Sequence, residues 1–264
     1  MPVLETHALT RRFGTLTAVD NLTIAIDAGE VCGLLGRNGA GKTTVIKMLT
    51  TLLPPSSGTA RVGGFDVVRQ AASVRRIIGY VPQLVSADGS LTGRENLLMF
   101  AKLYDIPTRD LAARVGDALK FMGLSDVGDR LVRTYSGGMI RRLEIAQAVL
   151  HRPAVVFLDE PTVGLDPLAR ESVWNRVEQL RTEYGTTILL TTHDMQEAET
   201  LCTRLAIMHT GRVVADGTVA SLKDAVGPEA TLSDVFVHHT GTEMEVSGGY
   251  RDTTRTRRVA RRLG

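Results

Sequence analysis

The sequence predicts an α/β protein with a largely parallel sheet core, an N-terminal antiparallel β portion and an inserted α-helical subdomain. Three observations predict it. Short apolar runs at 31–35, 77–81, 155–158, 187–191 and 205–208 recur along the chain, the later ones alternating with helical stretches as strand–helix–strand crossovers require. A glycine-rich turn from Gly36 to Gly41 joins the first run to a helix. Residues from about 90 to 150 carry helical spacing and so form an insert between two strand-bearing halves.

Taken in order, Leu22, Ile24 and Ile26 alternate with polar or small residues and read as one half-buried strand. Gly29-Glu30 turns the chain into the run 31–35. From Thr43 onward Val45, Ile46, Leu49 and Leu52 share a helical face, and Pro54-Pro55 stops the predicted helix at 53. Thr92-Gly93-Arg94-Glu95 is a capping box that opens a helix toward Tyr104. Residues 111–122 and 139–150 repeat the helical spacing, and 168–184 and 195–202 supply the later crossovers. Beyond about 220 no periodicity is legible. The chain therefore divides into a folded domain, 1–220, and an accessory segment, 221–264.

Apolar residues make up 43% of the 264 and charged ones 23%, which suits a soluble globular protein and excludes a disordered, collagenous or fibrous one. Cys32 and Cys202 make no disulfide scaffold and match no metal spacing, so a reducing compartment is expected. No run of eighteen apolar residues predicts a membrane span. Met1-Pro2-Val3-Leu4-Glu5 lacks the charged start and apolar core of a secretory signal. The net charge of +2 is uneven: six arginines and one aspartate give 251–264 a balance of +5, leaving −3 for 1–250. That tail has no interleaved aromatics for base stacking, so it reads as a disordered end, with nucleic acid a disfavoured partner. His238-His239 reads as a solvated pair, since adjacent side chains point apart.

Two stretches carry chemistry. Gly36-Arg37-Asn38-Gly39-Ala40-Gly41-Lys42-Thr43 fits the phosphate-loop pattern of a P-loop NTPase. Its glycines let successive amides face a phosphate, the following helix presents its positive end, Lys42 reaches the outer phosphates and Thr43 binds magnesium. Val155-Val156-Phe157-Leu158 ends in Asp159, placed for the magnesium shell, and Glu160, placed as base for an attacking water. A dinucleotide fingerprint fits less well, because Thr44 stands where its last glycine belongs.

Tyr135-Ser136-Gly137-Gly138-Met139, in the insert, resembles the signature sequence of the ATP-binding cassette family. Further resemblances follow in that family's order: Gln83 after Gly79-Tyr80-Val81-Pro82, Gly164-Leu165-Asp166, and Thr191-Thr192-His193. They extend over about 1–220. The resemblance implies ATP and Mg²⁺ as cofactors, with 1–220 as the nucleotide-binding domain. It implies that Gly36–Thr44 and Lys42 hold the phosphates, that Phe13 stacks on adenine with Val19 lining the same face, and that Thr43, Gln83 and Asp159 face the metal. It further implies Glu160 and His193 as hydrolytic groups, and Ser136, Gly137 and Gly138 as contacts to the ATP of a second, identical subunit joined through the Asp166 loop. A separate polytopic membrane subunit would convert ATP turnover into transport, holding this chain on the cytoplasmic face. Ser-Gly-Gly-Met followed by Arg141-Arg142-Leu143, together with 231–237, is similar to the exporter branch for daunorubicin, antibiotics and lipo-oligosaccharides. Met139 in place of glutamine removes a hydrogen-bonding amide. The rival expectation is a soluble cassette ATPase with a regulatory or assembly role. A phosphate-loop kinase is disfavoured by the signature and His193.

Overall fold

The computed structural model describes residues 2–244 and divides the strands between two sheets. In chain order, β1 (Leu4–Phe13) folds back on β2 (Leu16–Leu22), and β3 (Ala25–Ile26) pairs with the start of β1. β4 (Val31–Leu35) leads through the glycine-rich loop into α1 (Lys42–Leu49). β5 (Ser57–Val62) and β6 (Phe65–Asp66) precede α2 (Ala71–Ile77) and β7 (Ile78–Val81). The insert holds α3 (Gly93–Leu103), α4 (Thr108–Phe121) and α5 (Gly137–Val149). After it come β8 (Val155–Asp159), α6 (Pro167–Tyr184), β9 (Thr187–Thr192), α7 (Met195–Leu201), β10 (Arg204–His209), β11 (Arg212–Thr218), α8 (Val219–Asp224) and α9 (Leu232–Thr240).

The N-terminal sheet runs β2-β1-β5-β6 with β3 on β1, and every pairing is antiparallel. The second sheet runs β11-β10-β4-β9-β8-β7 and is parallel except for β11. β4 is buried throughout because both of its faces are covered: Val31 and Leu35 join the core under the helices of the insert, α6 and α7, while Cys32 and Leu34 join the core shared with α1 and the first sheet.

The helix predicted from Thr43 to 53 ends at Leu49. The Thr50 hydroxyl bonds back to the Ile46 carbonyl (2.8 Å), Thr51 turns left-handed (φ 65°), and Leu52 lies exposed. Pro54-Pro55 therefore lie beyond the stop and do not make it. The alternation Leu22, Ile24, Ile26 is split between two strands: Thr6 Oγ1 donates to the Leu22 carbonyl (3.1 Å) and accepts from the Ile24 amide (2.9 Å), taking the place of the ladder there. The stretch after 220, where no periodicity is legible, holds α8 and α9. Thr231 and Asp234 form a capping box, and Leu232, Val235 and Phe236 are buried in the core that also holds α7. The basic stretch 251–264 lies outside the described residues.

Candidate functional site

Four parallel strands end side by side at one edge of the second sheet: Leu35 is paired with Thr192, Asp159 with Thr191, and Val81 with Leu158. The loops that follow them bring Gly36–Lys42, His193, Glu160 and Gln83 together, at the edge where open parallel sheets bind ligands.

The loop after β4 is shaped by its backbone. Gly41 is the N-cap of α1 at φ +102°, and a Cβ there would run into the Ala18 carbonyl oxygen. The Ala40 carbonyl accepts from the Gly211 amide (3.1 Å), so the β10–β11 turn holds the loop from one side. Asn38 and Gly39 form its exposed tip, whereas Arg37 is half-buried. Lys42 is 4% exposed, and its Nζ donates to the carbonyls of Gly36 (2.7 Å) and Arg37 (3.2 Å). Burial lowers its pKa from the ordinary lysine value, against the pull of Glu160. Thr43 Oγ1 donates to Asp159 Oδ1 (3.0 Å), and Thr191 Oγ1 donates to the same oxygen (2.6 Å). Thr44 is half-buried one position on.

Glu160 is the hub. Its backbone is left-handed (φ 48°), a strained state for a residue with a Cβ, held by its amide bonding to Thr191 Oγ1 (3.0 Å). One carboxylate oxygen lies 3.3 Å from Lys42 Nζ and 3.3 Å from His193 Nδ1. The other accepts from Gln83 Nε2 (3.0 Å). Burial pushes the Glu160 pKa up, but the His193 bond and the Lys42 charge outweigh it and hold the carboxyl below its ordinary value. His193 is correspondingly raised, chiefly by its bond to Glu160. Behind them, Glu197 Oε1 accepts from Thr162 Oγ1 (2.6 Å) and Trp174 Nε1 (3.0 Å), and Arg170 pairs with Asp194 (2.7 Å).

Ser136 sits elsewhere, as the N-cap of α5, its Oγ accepting from the Met139 amide (3.3 Å). Gly137 and Gly138 press on the start of α6: a Cβ on Gly138 would lie 2.7 Å from the Ala169 Cβ, and one on Gly137 3.2 Å from Leu165 Cδ2. Among the described residues no hydrogen bond joins Ser136–Gly138 to the loop of the same chain. Asp166 caps α6 by accepting from the Ala169 amide (2.9 Å). Phe13 is 45% exposed at the end of β1, with Arg11 over its ring at 4.6 Å. Val19, expected on the same adenine-lining face, is buried, and a Cβ on Gly41 would lie 3.4 Å from its Cγ2. Its place is beside the loop.

Sequence reading quoted Thr191 and Arg141 only as motif positions, without the contacts they make, and missed Glu197. Thr191 is a polar residue ending an apolar strand, and Glu197 is an acid on the same helical face as Ala198 and Leu201. Those two left a signal of that kind. Arg141 is buried against the Gln83 loop through partners 58 and 59 residues away, which no local pattern announces.

A family model described as ABC transporter matches residues 19–163. The chain is 46% identical over 224 residues to the daunorubicin/doxorubicin resistance ATP-binding protein DrrA of Streptomyces peucetius, covering 85% of this chain and 68% of the relative. It is 41% identical over 263 residues to the Nod factor export ATP-binding protein I of Burkholderia lata, covering 94% and 85%. A solved ATP-binding subunit of an ABC transporter superposes with a TM-score of 0.80 at 30% identity, covering 89% of this chain and 98% of that one.

Proposed function

This chain belongs to the ABC transporter family, and from that premise we propose that it is the ATP-hydrolysing subunit of an exporter for drug, antibiotic or lipid-like substrates, working on a separate membrane subunit. The observation that carries the reading is the convergence of Lys42, Gln83 and His193 on one buried carboxylate, Glu160, beside a phosphate loop. The relatives named for daunorubicin resistance and Nod factor export point to an exporter.

The donors present fit the cofactors. Thr43 Oγ1, hydrogen-bonded to the Asp159 carboxylate, offers hard oxygens of the kind Mg²⁺ prefers beside phosphate oxygens, with Gln83 close by at Glu160. The left-handed glycine at the start of α1 and the amides after it suit a triphosphate. Bound Mg²⁺ supplies charge neutralisation at the outer phosphates. Lys42 exchanges its bonds to the Gly36 and Arg37 carbonyls for phosphate oxygens. Glu160, kept ionised by its neighbours, takes the proton of the attacking water, and His193 holds the γ-phosphate end. Phe13 stacks on adenine through its exposed face. Ser136–Gly138 complete the site of a second copy; in their own chain Gly137 and Gly138 lie against Leu165 and Ala169, and Ser136 caps α5. The Asp166 loop joins the two copies.

Among the described residues no helix is long and apolar enough to cross a membrane. The coupling surface therefore lies on the chain's exterior, where Leu84 and Val85, just after Gln83, are 81% and 63% exposed, and Leu103, at the end of α3, is 70% exposed. Purification of the tagged chain from membranes is expected to recover a polytopic membrane protein that stimulates its ATPase. Recovery of soluble protein or nucleic-acid partners alone would overturn the transport role.

A further inference from the structure

Arg141 is an unusual charge to bury. It is 5% exposed and lies on α5 four residues after Gly137, about 6 Å along the axis at 1.5 Å per residue. Its guanidinium donates from Nη1 to the Pro82 carbonyl (2.7 Å) and from Nη2 to the Gln83 carbonyl (3.0 Å). One turn on, Glu144, 2% exposed, lies 3.1 Å from Arg141 Nη1 and accepts from the amide and hydroxyl of Ser86. A single turn of α5 thus grips the segment from Pro82 to Ser86 at both ends. The Gln83 side chain, from the second residue of that segment, donates to Glu160. Burying an arginine and a glutamate costs desolvation that only good geometry offsets, and the planar guanidinium fork suits two adjacent carbonyls where a lysine ammonium does not.

We infer that Arg141 is a positioning residue that ties the Ser136–Gly138 turn to the Gln83 loop, and through it to Glu160, so that each nucleotide site senses the other. The inference rests on the in-trans role given above to Ser136–Gly138. When the partner's nucleotide fixes the start of α5, the helix moves as one piece and carries the backbone of Pro82 and Gln83 with it. The Gln83–Glu160 hydrogen bond then reports to the chain's own site whether the facing site is filled. Arg141 touches no nucleotide and acts only through Gln83.

A double-mutant cycle tests this in the full chain. Arg141→Lys is expected to bind ATP within about threefold of wild type and to lose about tenfold in kcat with KM little changed, the mark of a group that sets reactive geometry. Ser136→Ala alone is also expected to lower kcat. If Arg141 carries the coupling, the double variant falls no more than about twofold below the slower single, because the two losses share one path. Losses that multiply, or wild-type kcat in Arg141→Lys, would overturn the inference and leave the in-trans reading standing. Unchanged kcat in Ser136→Ala would sink that reading and this inference with it. Should Arg141→Lys fail to fold, amide exchange decides the matter on the intact arginine. In Glu160→Gln with bound ATP, the amides from Gln83 to Ser86 are expected to exchange more slowly than without nucleotide. Adding Ser136→Ala should abolish that slowing while ATP stays bound, and persistence of the slowing counts against the coupling.

Discussion

Lys42 donates to two carbonyls of its own loop and sits 3.3 Å from Glu160, so its ammonium is held within the loop proposed to bind phosphate. Lys42→Ala is expected to weaken ATP binding about 10- to 100-fold, the scale of a charge-assisted bond, measured by titration with a fluorescent ATP analogue. Unchanged affinity would remove the phosphate-loop role. Glu197 is the other residue whose surroundings fix its behaviour. Burial raises its carboxyl above the ordinary 4.5, so the folded chain holds that proton more tightly than the unfolded chain does. Its contribution to stability is present below 4.5 and lost as pH rises through the raised folded value. Glu197→Gln keeps an acceptor for Thr162 and Trp174 without the charge. It is expected to melt no lower than wild type at pH 8, and a clear drop there would contradict the assignment.

At the scale of elements, the contact between α5 and α6 is set by the absence of a side chain at Gly138. Gly138→Ala would place its Cβ 2.7 Å from that of Ala169, an overpacking that costs about 1–3 kcal/mol. The expected result is a lowered melting temperature, restored in large part by adding Ala169→Gly. Failure of that rescue would mean the glycine is needed for something other than room. Phe236, fully buried in the core with α7, predicts that Phe236→Ala costs about 3–5 kcal/mol in denaturant titration, so that the segment after 220 is part of the stable fold. A cost below 1 kcal/mol would make it a loose appendage. Legibility at this scale followed the strength of local signals. The Thr92 capping box names its own helix, and α3 begins at Gly93. The end of α1 was missed because a threonine hydroxyl competing for the Ile46 carbonyl has no weight in hydrophobic spacing. α9 was missed although Leu232, Val235 and Phe236 hold the helical interval and Thr231 with Asp234 forms a capping box.

For the whole molecule, the proposed site is divided between the loop edge with Glu160 and the Ser136–Gly138 turn that opens α5 against α6. ATP is therefore expected to join two copies. Glu160→Gln should bind ATP, lose at least about 100-fold in turnover, and run as a dimer with ATP and Mg²⁺ but as a monomer without nucleotide, by size exclusion with light scattering. A variant that hydrolyses at the wild-type rate would exclude Glu160 as base, and one that stays monomeric with bound ATP would exclude the sandwich.

By itself the sequence determined the phosphate loop, the Asp159-Glu160 strand end and the alternation of strands with helices. Each is written in contiguous residues, where glycine freedom, strand periodicity and helix capping act over a few positions. Only the tertiary structure decided that Gln83, His193 and Lys42 meet on Glu160, because strand order brings together the ends of β4, β9, β8 and β7 from distant parts of the chain. It also buried Val19 beside Gly41 of the loop, and bound Arg141 to the carbonyls of Pro82 and Gln83. Burial and long-range pairing are properties of the packed chain. A residue's type constrains them, and its neighbours in space settle them.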